Sequence, residues 1–455
     1  MTRRGFLAAL AAPAPKRNVL FIGSDDLNTC LSCYGHPIVK TPNIDRIAKA
    51  GVRFDRAYSQ FPFCSPSRTS MMTGLAPDAT KVYDLVKHFR SAVPNAVTLP
   101  QLFRNNGYWT ARIGKIYHYG VPRDVGTAGL DDPPSWDYTF NPIGVDKTKE
   151  EPLLINHTPQ RTNIGSAITI HSSSHPDEQH TDGIAADHAV SLLEKNKDKP
   201  FFLAVGFYRP HVPWIAPKKY FDMFPLDQIE PVSFEEDEMK IAPQWAYFTK
   251  PGNWGMTLQQ RKEAVQAYYA SIAFLDVQVG KVLDALDRLK LTASTTIVFW
   301  SDHGYHLGEH GQWMKQALFE PATRIPLLFS GAGVSAKNKV CRGPVEMLDI
   351  YPTLADLCGL KPPPNLHGRS LKSLLAKPER RSTHPAVSQV QRGKVMGYSI
   401  RTERYRYTMW NDGAEGEEFY DYQTDPREFK NLAATAEQKA ALKQQLRAIV
   451  QARGA

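Results

Sequence analysis

The chain has 455 residues and a formal net charge of +9, with a pI near 9.1. Charged residues are only 22% and aromatics reach 11%, which excludes disorder as the main state. No window approaches the ~20 consecutive apolar residues of a membrane span. The Lys and Arg residues are scattered and form no motif for reading nucleic acid, so no nucleic-acid partner is expected. The basic balance suits plain solubility or attraction to an acidic substrate.

At the N-terminus, Thr2-Arg3-Arg4-Gly5-Phe6-Leu7 followed by Ala8 to Ala12 resembles a twin-arginine export signal. This sets residues 1–16 apart as a signal or tail and predicts a periplasmic or secreted protein. Removing residues 1–15 deletes Arg3 and Arg4 and no acid, so the net charge falls only from +9 to +7. The five cysteines are too few for a disulfide scaffold at this length. Cys30 and Cys33 lack a second pair at zinc spacing and read as structural or incidental. Cys341 and Cys358 could pair or stay free.

Asn18 to Gly23 is a short apolar run, hence a buried parallel strand, and Ser24-Asp25-Asp26 follows its end. A helix is predicted over Ile44 to Ala50, then another over Thr98 to Asn105, stopped by Gly107. Trp109 to Ile113 is the next strand. Residues 120–182 are rich in Pro, Gly, Asp and Ser and read as an irregular insertion; His171, His175 and His180 within it are expected as solvated loop residues. Ile184 to Asn196 is a helix, and Phe201 to Val205 is a strand leading into Tyr208-Arg209-Pro210-His211. A long helix runs from Glu263 to Leu289. The strand Thr295 to Trp300 ends in Ser301-Asp302-His303, and Met347 to Leu357 is a helix.

This alternation predicts an α/β catalytic domain over residues 17–375, with a mostly parallel sheet flanked by helices. Ligands in such sheets bind at the carboxyl ends of strands. Asp25-Asp26, His211 and Asp302-His303 all follow strand ends, so these distant residues could meet at one rim. After residue 376 the texture changes. Val395 to Ile400, Tyr405 to Trp410 and Phe419 to Tyr422 read as strands, and Ala436 to Val450 as a helix. This predicts a small α+β subdomain with an antiparallel sheet over residues 376–455.

The strongest local signal is Cys64-Ser65-Pro66-Ser67-Arg68 with Thr73-Gly74 behind it. A cysteine heading a helix suggests, by itself, a low-pKa thiolate. The element resembles the signature of type I sulfatases, in which the cysteine is oxidised to formylglycine. Phe63 departs from the smaller residue usual there. The resemblance runs through nearly the whole chain and is greatest to the iduronate-2-sulfatase branch. It is carried by Asn18 to Asp26, Tyr34-Gly35, Thr41 to Asp45, Tyr83-Asp84, Gly114 to His118, Phe201 to Pro213, Ser301 to Gly311 with Lys315, and Gly397 to Trp410. It implies the alkaline-phosphatase-like sulfatase fold.

The residues fit what the resemblance implies. Asp25, Asp26 and Asp302 would repel one another without a cation, and hard divalent cations take oxygen ligands. The resemblance implies Ca2+, with Mg2+ as the alternative, held by Asp25, Asp26, Asp302, His303 and the oxidised Cys64. His303 stands where most sulfatases have Asn, as in the iduronate-2-sulfatase branch. It also implies catalytic roles for Cys64, Arg68, Lys115, His118, His211 and Lys315. Arg68, Lys115 and Lys315 would match the sulfate charge, His211 would protonate the leaving alcohol, and His118 would take a proton from the second hydroxyl of the hydrated aldehyde. Lys115, His211 and Lys315 would also contact substrate, with His88 and Arg90 where the family builds its substrate pocket. His306 and His310 could line the pocket or simply pack.

The expected substrate is a sulfated oligosaccharide or polysaccharide, most naturally the 2-O-sulfate of a uronic acid. A formylglycine-generating enzyme is implied as a transient partner. Two other readings stay open from the sequence. One is a phosphodiester or phosphonate monoester hydrolase of the same superfold; the other is an inactive protein that binds sulfated glycans.

Overall fold

The computed structural model describes residues 16–382 and 384–454. The twin-arginine-like segment lies outside the described residues. An eight-stranded sheet runs through the centre, in the order Lys339–Glu346, Gly51–Tyr58, Arg324–Gly331, Thr295–Ser301, Asn18–Ser24, Phe201–Gly206, Trp109–Gly114 and Tyr138–Phe140. Arg324–Gly331 is antiparallel to both its neighbours, and every other pairing is parallel. The carboxyl ends of the other seven strands therefore share one rim.

The central strands are buried on both faces and read as continuous apolar runs, as crossover connections require. One face packs on the helix Leu258–Arg288, capped by Thr257 and Gln260, with Thr181–Asn196 beside it. The other face packs on Cys64–Thr73, Leu99–Asn105 and Ile350–Leu357.

Four of the eight strands escape a reading of local pattern, Tyr138–Phe140 within the 120–182 segment and three others. Arg324–Gly331 contains Pro326 and shifts register between Ile325 and Leu327; Lys339–Glu346 contains Gly343-Pro344 and shifts register there too. Proline removes a ladder donor and lowers strand propensity, so only tertiary pairing fixes these segments. Gly51–Tyr58 has its polar residues spread along it and no loop before it, because it follows the helix Pro42–Ala50 directly.

The 120–182 segment is more ordered than its composition predicts. Tyr138–Phe140 forms an edge of the central sheet, and Ile155–Asn156 and Thr169–Ser173 form a small sheet with Trp214–Pro217. Further on, Ala386–Arg392, Val395–Arg401, Tyr405–Trp410 and Glu417–Asp421 form a four-stranded antiparallel meander, and Lys439–Gly454 is a terminal helix packed against it.

Candidate active site

The rim gathers the predicted residues. Asp25 and Asp26 follow the strand Asn18–Ser24, Lys115 follows Trp109–Gly114, His211 follows Phe201–Gly206, and Asp302 and His303 follow Thr295–Ser301. Cys64 and Arg68 lie in the first two turns of the helix Cys64–Thr73, which Gly74 ends in the left-handed conformation. Gly114 has φ +66°, and a β-carbon there would lie 2.2 Å from the Gly206 carbonyl oxygen, so a glycine is needed to launch Lys115.

The ligand atoms of Asp25, Cys64, Asp302 and His303 lie within 4.8 Å of one another; those of Asp26, Cys64 and His211 form an overlapping group. All six of these residues are buried. Asp26 adopts φ +63°, a strained conformation for a non-glycine residue. The Asp26 N–H donates to Asp302 Oδ1 at 3.2 Å, and its carbonyl accepts from the Tyr268 hydroxyl at 2.8 Å. His303 donates from Nδ1 to the Gly304 carbonyl at 2.9 Å, which turns Nε2 toward Cys64 Sγ at 3.3 Å and Asp26 Oδ1 at 3.3 Å.

Three cations answer the three carboxylates. Arg68 donates from Nε to Asp302 Oδ2 at 2.8 Å and from Nη2 to Asp25 Oδ1 at 3.3 Å. Its Nη1 donates to the carbonyls of Lys115 and Ile116. Lys115 Nζ donates to Asp25, and Lys315 Nζ reaches both oxygens of Asp26 at 2.6 Å. Lys315 sits between Met314 and Gln316, both at positive φ, so its backbone is strongly specified.

The two adjacent carboxyls are driven apart. Burial pushes Asp25 up, but Lys115, His211 and Arg68 bring it well below the usual range on balance. For Asp26, burial wins over Lys315 and His303, and the carboxyl is raised. Burial and then Lys315 hold His211 well below the ordinary imidazole value; burial and then Lys115 do the same to His118. His211 is tied from Nδ1 to the Val212 carbonyl, and its Nε2 lies 3.8 Å from Asp26 Oδ2. His118 is buried with Nδ1 unpartnered.

The Cys64 expectation needs correcting. Its thiol is raised well above the ordinary value, because burial and the Asp25 charge outweigh Lys315 and Lys115. A helix end contributes roughly half a charge, too little against a full carboxylate in a dry site. Burial and the Asp25 charge therefore work against the low-pKa thiolate that the helix end alone suggests.

His88 and Arg90 do not reach toward the cluster. Arg90 spends all five N–H donors on Asp132 (2.7 and 3.0 Å), Gln101 and the carbonyls of Pro94 and Ala96. His88 uses one ring nitrogen on the Asp131 carbonyl and the other on the Arg90 N–H. Both are brackets that hold a loop, and neither has a free donor for a sugar.

Of the insertion's histidines, His171 and His175 are half-buried and only His180 is wholly removed from solvent. His180 is fully buried, and His175 donates to the buried Glu150 at 2.9 Å, with His171 at 3.7 Å from the same oxygen. His306 and His310 are buried against Phe319, a packing role. All five cysteines are free thiols, Cys341 and Cys358 included.

Comparison with known proteins decides the class. The sulfatase family profile matches residues 17–360. This chain belongs to the sulfatase family. A second profile, the C-terminal region of N-sulphoglucosamine sulphohydrolase, matches residues 308–453. A sulfatase of Formosa agariphila is 35% identical over 92% of this chain and 83% of its own length. Human iduronate 2-sulfatase is 33% identical over 86% of this chain and 84% of its own. Among solved structures, a phosphonate monoester hydrolase of Agrobacterium radiobacter superposes with a TM-score of 0.78 at 23% identity, covering 96% and 95% of the two chains, which is a likeness of fold. The enzyme is a sulfuric ester hydrolase of the alkaline-phosphatase-like fold.

The donor set suits a divalent metal. Three buried carboxylates and a buried imidazole nitrogen lie around Cys64, and such groups are tolerated together only around positive charge. No helix among the described residues is long and apolar enough to cross a membrane.

Residues that local sequence reasoning did not single out complete the site. Ser67 donates to the Asp302 carbonyl, Ser301 links the Leu27 N–H to the His303 carbonyl, and Arg392 from the C-terminal sheet donates to the carbonyl of Gln316, next to Lys315. Ser67 and Ser301 lie inside motifs already visible in the sequence, whereas nothing marks Arg392; only the folded chain shows the bonds all three make.

Proposed function

We propose that the enzyme hydrolyses a sulfate ester on a carbohydrate, the 2-O-sulfate of a uronic acid within a sulfated oligosaccharide or polysaccharide. The observation that supports the chemistry is the convergence of Asp25, Asp26, Asp302 and His303 on Cys64, with Lys115, Lys315 and His211 around it. The likeness to iduronate 2-sulfatase over most of both chains supports the substrate class. The net charge of +9 suits a polyanion.

Oxidation of Cys64 to formylglycine supplies, as the hydrate, an attacking hydroxyl and a second hydroxyl through which sulfate is released. Asp25, Asp26, Asp302, His303 and the oxidised Cys64 would hold a divalent cation, Ca2+ or alternatively Mg2+, which when bound would supply Lewis acidity toward the sulfate. The chain's own side chains do the rest. Arg68 fixes Asp25 and Asp302 in place from the helix that carries position 64. Lys115 Nζ and Lys315 Nζ meet the sulfate charge and the charge that develops as the ester bond breaks. His211 hands a proton from Nε2 to the leaving sugar oxygen; burial and Lys315 lower the ring's affinity for a proton in the free site, so the proton is taken up from solvent as the anionic substrate binds. His118 accepts the proton from the second hydroxyl at position 64.

Maturation calls for a formylglycine-generating enzyme as a transient partner. The paired Arg3-Arg4 supports export of the folded chain to the periplasm or beyond. The test is turnover of sulfated disaccharides by protein co-expressed with the maturation enzyme. Release of sulfate from a 2-sulfated uronate ahead of 6-O- and N-sulfated glucosamine is expected, and the reverse order would move the substrate assignment to an amino sugar. The likeness of fold to a phosphonate hydrolase makes the same esters as phosphonates the second arm, and faster phosphonate cleavage would overturn the reading.

A further inference from the structure

His211 is aimed by a loop, and that loop is held from outside the catalytic cluster. The ring has one tether, from Nδ1 to the neighbouring Val212 carbonyl. Its position therefore follows the backbone of residues 207–213. Two buried carboxylates grip that loop, one through its backbone and one through its side chains. Asp182, in the first turn of the helix Thr181–Asn196, accepts the N–H of Tyr208 at 3.1 Å and of Arg209 at 3.0 Å. Asp146, from the 120–182 segment, accepts from the Tyr208 hydroxyl and from Arg209 Nη2 at 3.3 Å. Asp146 is itself fixed by the N–H and hydroxyl of Thr181, at 2.9 and 2.8 Å.

Arg209 passes the restraint along the loop. Its Nη1 donates to the Pro213 carbonyl at 2.7 Å and to the His211 carbonyl at 3.4 Å. On the other side the Ser24 hydroxyl donates to the Arg209 carbonyl at 2.7 Å, next to Asp25. The loop is thus clamped between the metal-ligand strand and the insertion.

We infer that Asp146 and Asp182 are positioning residues that set where His211 Nε2 stands relative to the leaving oxygen. The inference rests on the reading of His211 as the general acid. It makes the 120–182 segment part of the catalytic machinery, since that segment supplies Asp146. A displacement of about 1 Å can cost on the order of a hundredfold in rate when a proton must be passed in a fixed geometry.

The test separates leaving groups. A sugar alkoxide needs a proton to depart, whereas 4-nitrophenolate departs without one. His211→Ala should lose about a hundredfold or more on the sugar sulfate and under about tenfold on 4-nitrophenyl sulfate. Asp146→Asn and Asp182→Asn should show the same selectivity more weakly, about tenfold on the sugar sulfate and within about threefold on the aryl sulfate. They should also flatten the alkaline limb of the sugar-sulfate pH profile. Tyr208→Phe deletes one bond to Asp146, keeps the packing, and should give the same pattern if an Asn variant does not fold. Equal losses on both esters with an unchanged alkaline limb, beside a selective His211→Ala, would overturn the positioning role. A non-selective His211→Ala would instead overturn the general-acid reading, and the brace with it.

Discussion

The rim of the central sheet and the seam where the C-terminal sheet meets it both bury carboxylates against cations. At the seam, Arg406 pairs with Glu320 at 2.5 Å and with Glu428 at 2.8 Å, Arg401 pairs with Glu320, and the hydroxyls of Tyr58 and Tyr422 fill remaining acceptor positions. That network closes on itself. At the rim, Lys115, Lys315 and Arg68 also balance Asp25, Asp26 and Asp302, yet the acceptors still point at a common centre beside Cys64. His118 keeps an unpartnered ring nitrogen there. Buried charge that satisfies itself holds sheets together, and buried charge left facing one point does chemistry.

Variants can break this contrast. The largest effect is expected for Cys64→Ala, which should lower sulfate release by about 10⁴-fold or more, with the melting temperature nearly unchanged. Lys315→Ala should cost about 10²- to 10³-fold in kcat, the scale of a lost charge-stabilising donor. Steady-state kinetics beside thermal melts would check both.

Arg406→Met should do the opposite. It leaves Glu428 buried without its cation and Glu320 with Arg401 alone, so about 3–5 kcal/mol of stability should disappear in urea unfolding, while kcat per folded molecule holds. Loss of kcat without loss of stability would merge the two clusters into one functional unit.

The seam also predicts a pH dependence. Burial raises the Glu320 carboxyl, but Arg401 and Arg406 more than offset this and hold it at about 2, below the ordinary 4.5. A depressed folded value means that its stabilisation is present above pH 4.5 and fades as pH falls toward 2. Glu320→Gln should therefore lower stability at neutral pH and flatten the acid limb over that window, read by unfolding at stepped pH. The smallest effect is expected for Arg90→Gln. It should cost about 1–3 kcal/mol through lost hydrogen bonds to a buried carboxylate and leave KM for the sugar sulfate unchanged. A raised KM would return Arg90 to the substrate pocket.

Most of the rim was legible because its residues follow strands that announce themselves. Asn18–Ser24, Phe201–Gly206 and Thr295–Ser301 are unbroken apolar runs, and Asp25, Asp26, Asp302 and His303 lie immediately beyond their ends, with His211 five residues past the second. The Cys64 element carried its own signal. Legibility failed where tertiary contacts override local pattern. Proline disguised Arg324–Gly331, and polar composition disguised the order within residues 120–182. The ionisation of Cys64 could not be read either, because the helix end was visible in the sequence and the Asp25 charge beside it was not. Arg90 shows the converse: a lone arginine in a sequence looks free, whereas in the fold all five of its N–H groups are engaged.

The most direct test of the account is the mass of the tryptic peptide Ala57 to Arg68, taken from protein co-expressed with a formylglycine-generating enzyme and active on a sulfate ester. The account predicts a peptide in which Cys64 has lost sulfur and two hydrogens and gained one oxygen. An intact thiol at Cys64 in the active enzyme would contradict it, because sulfate would then be released without the aldehyde hydrate.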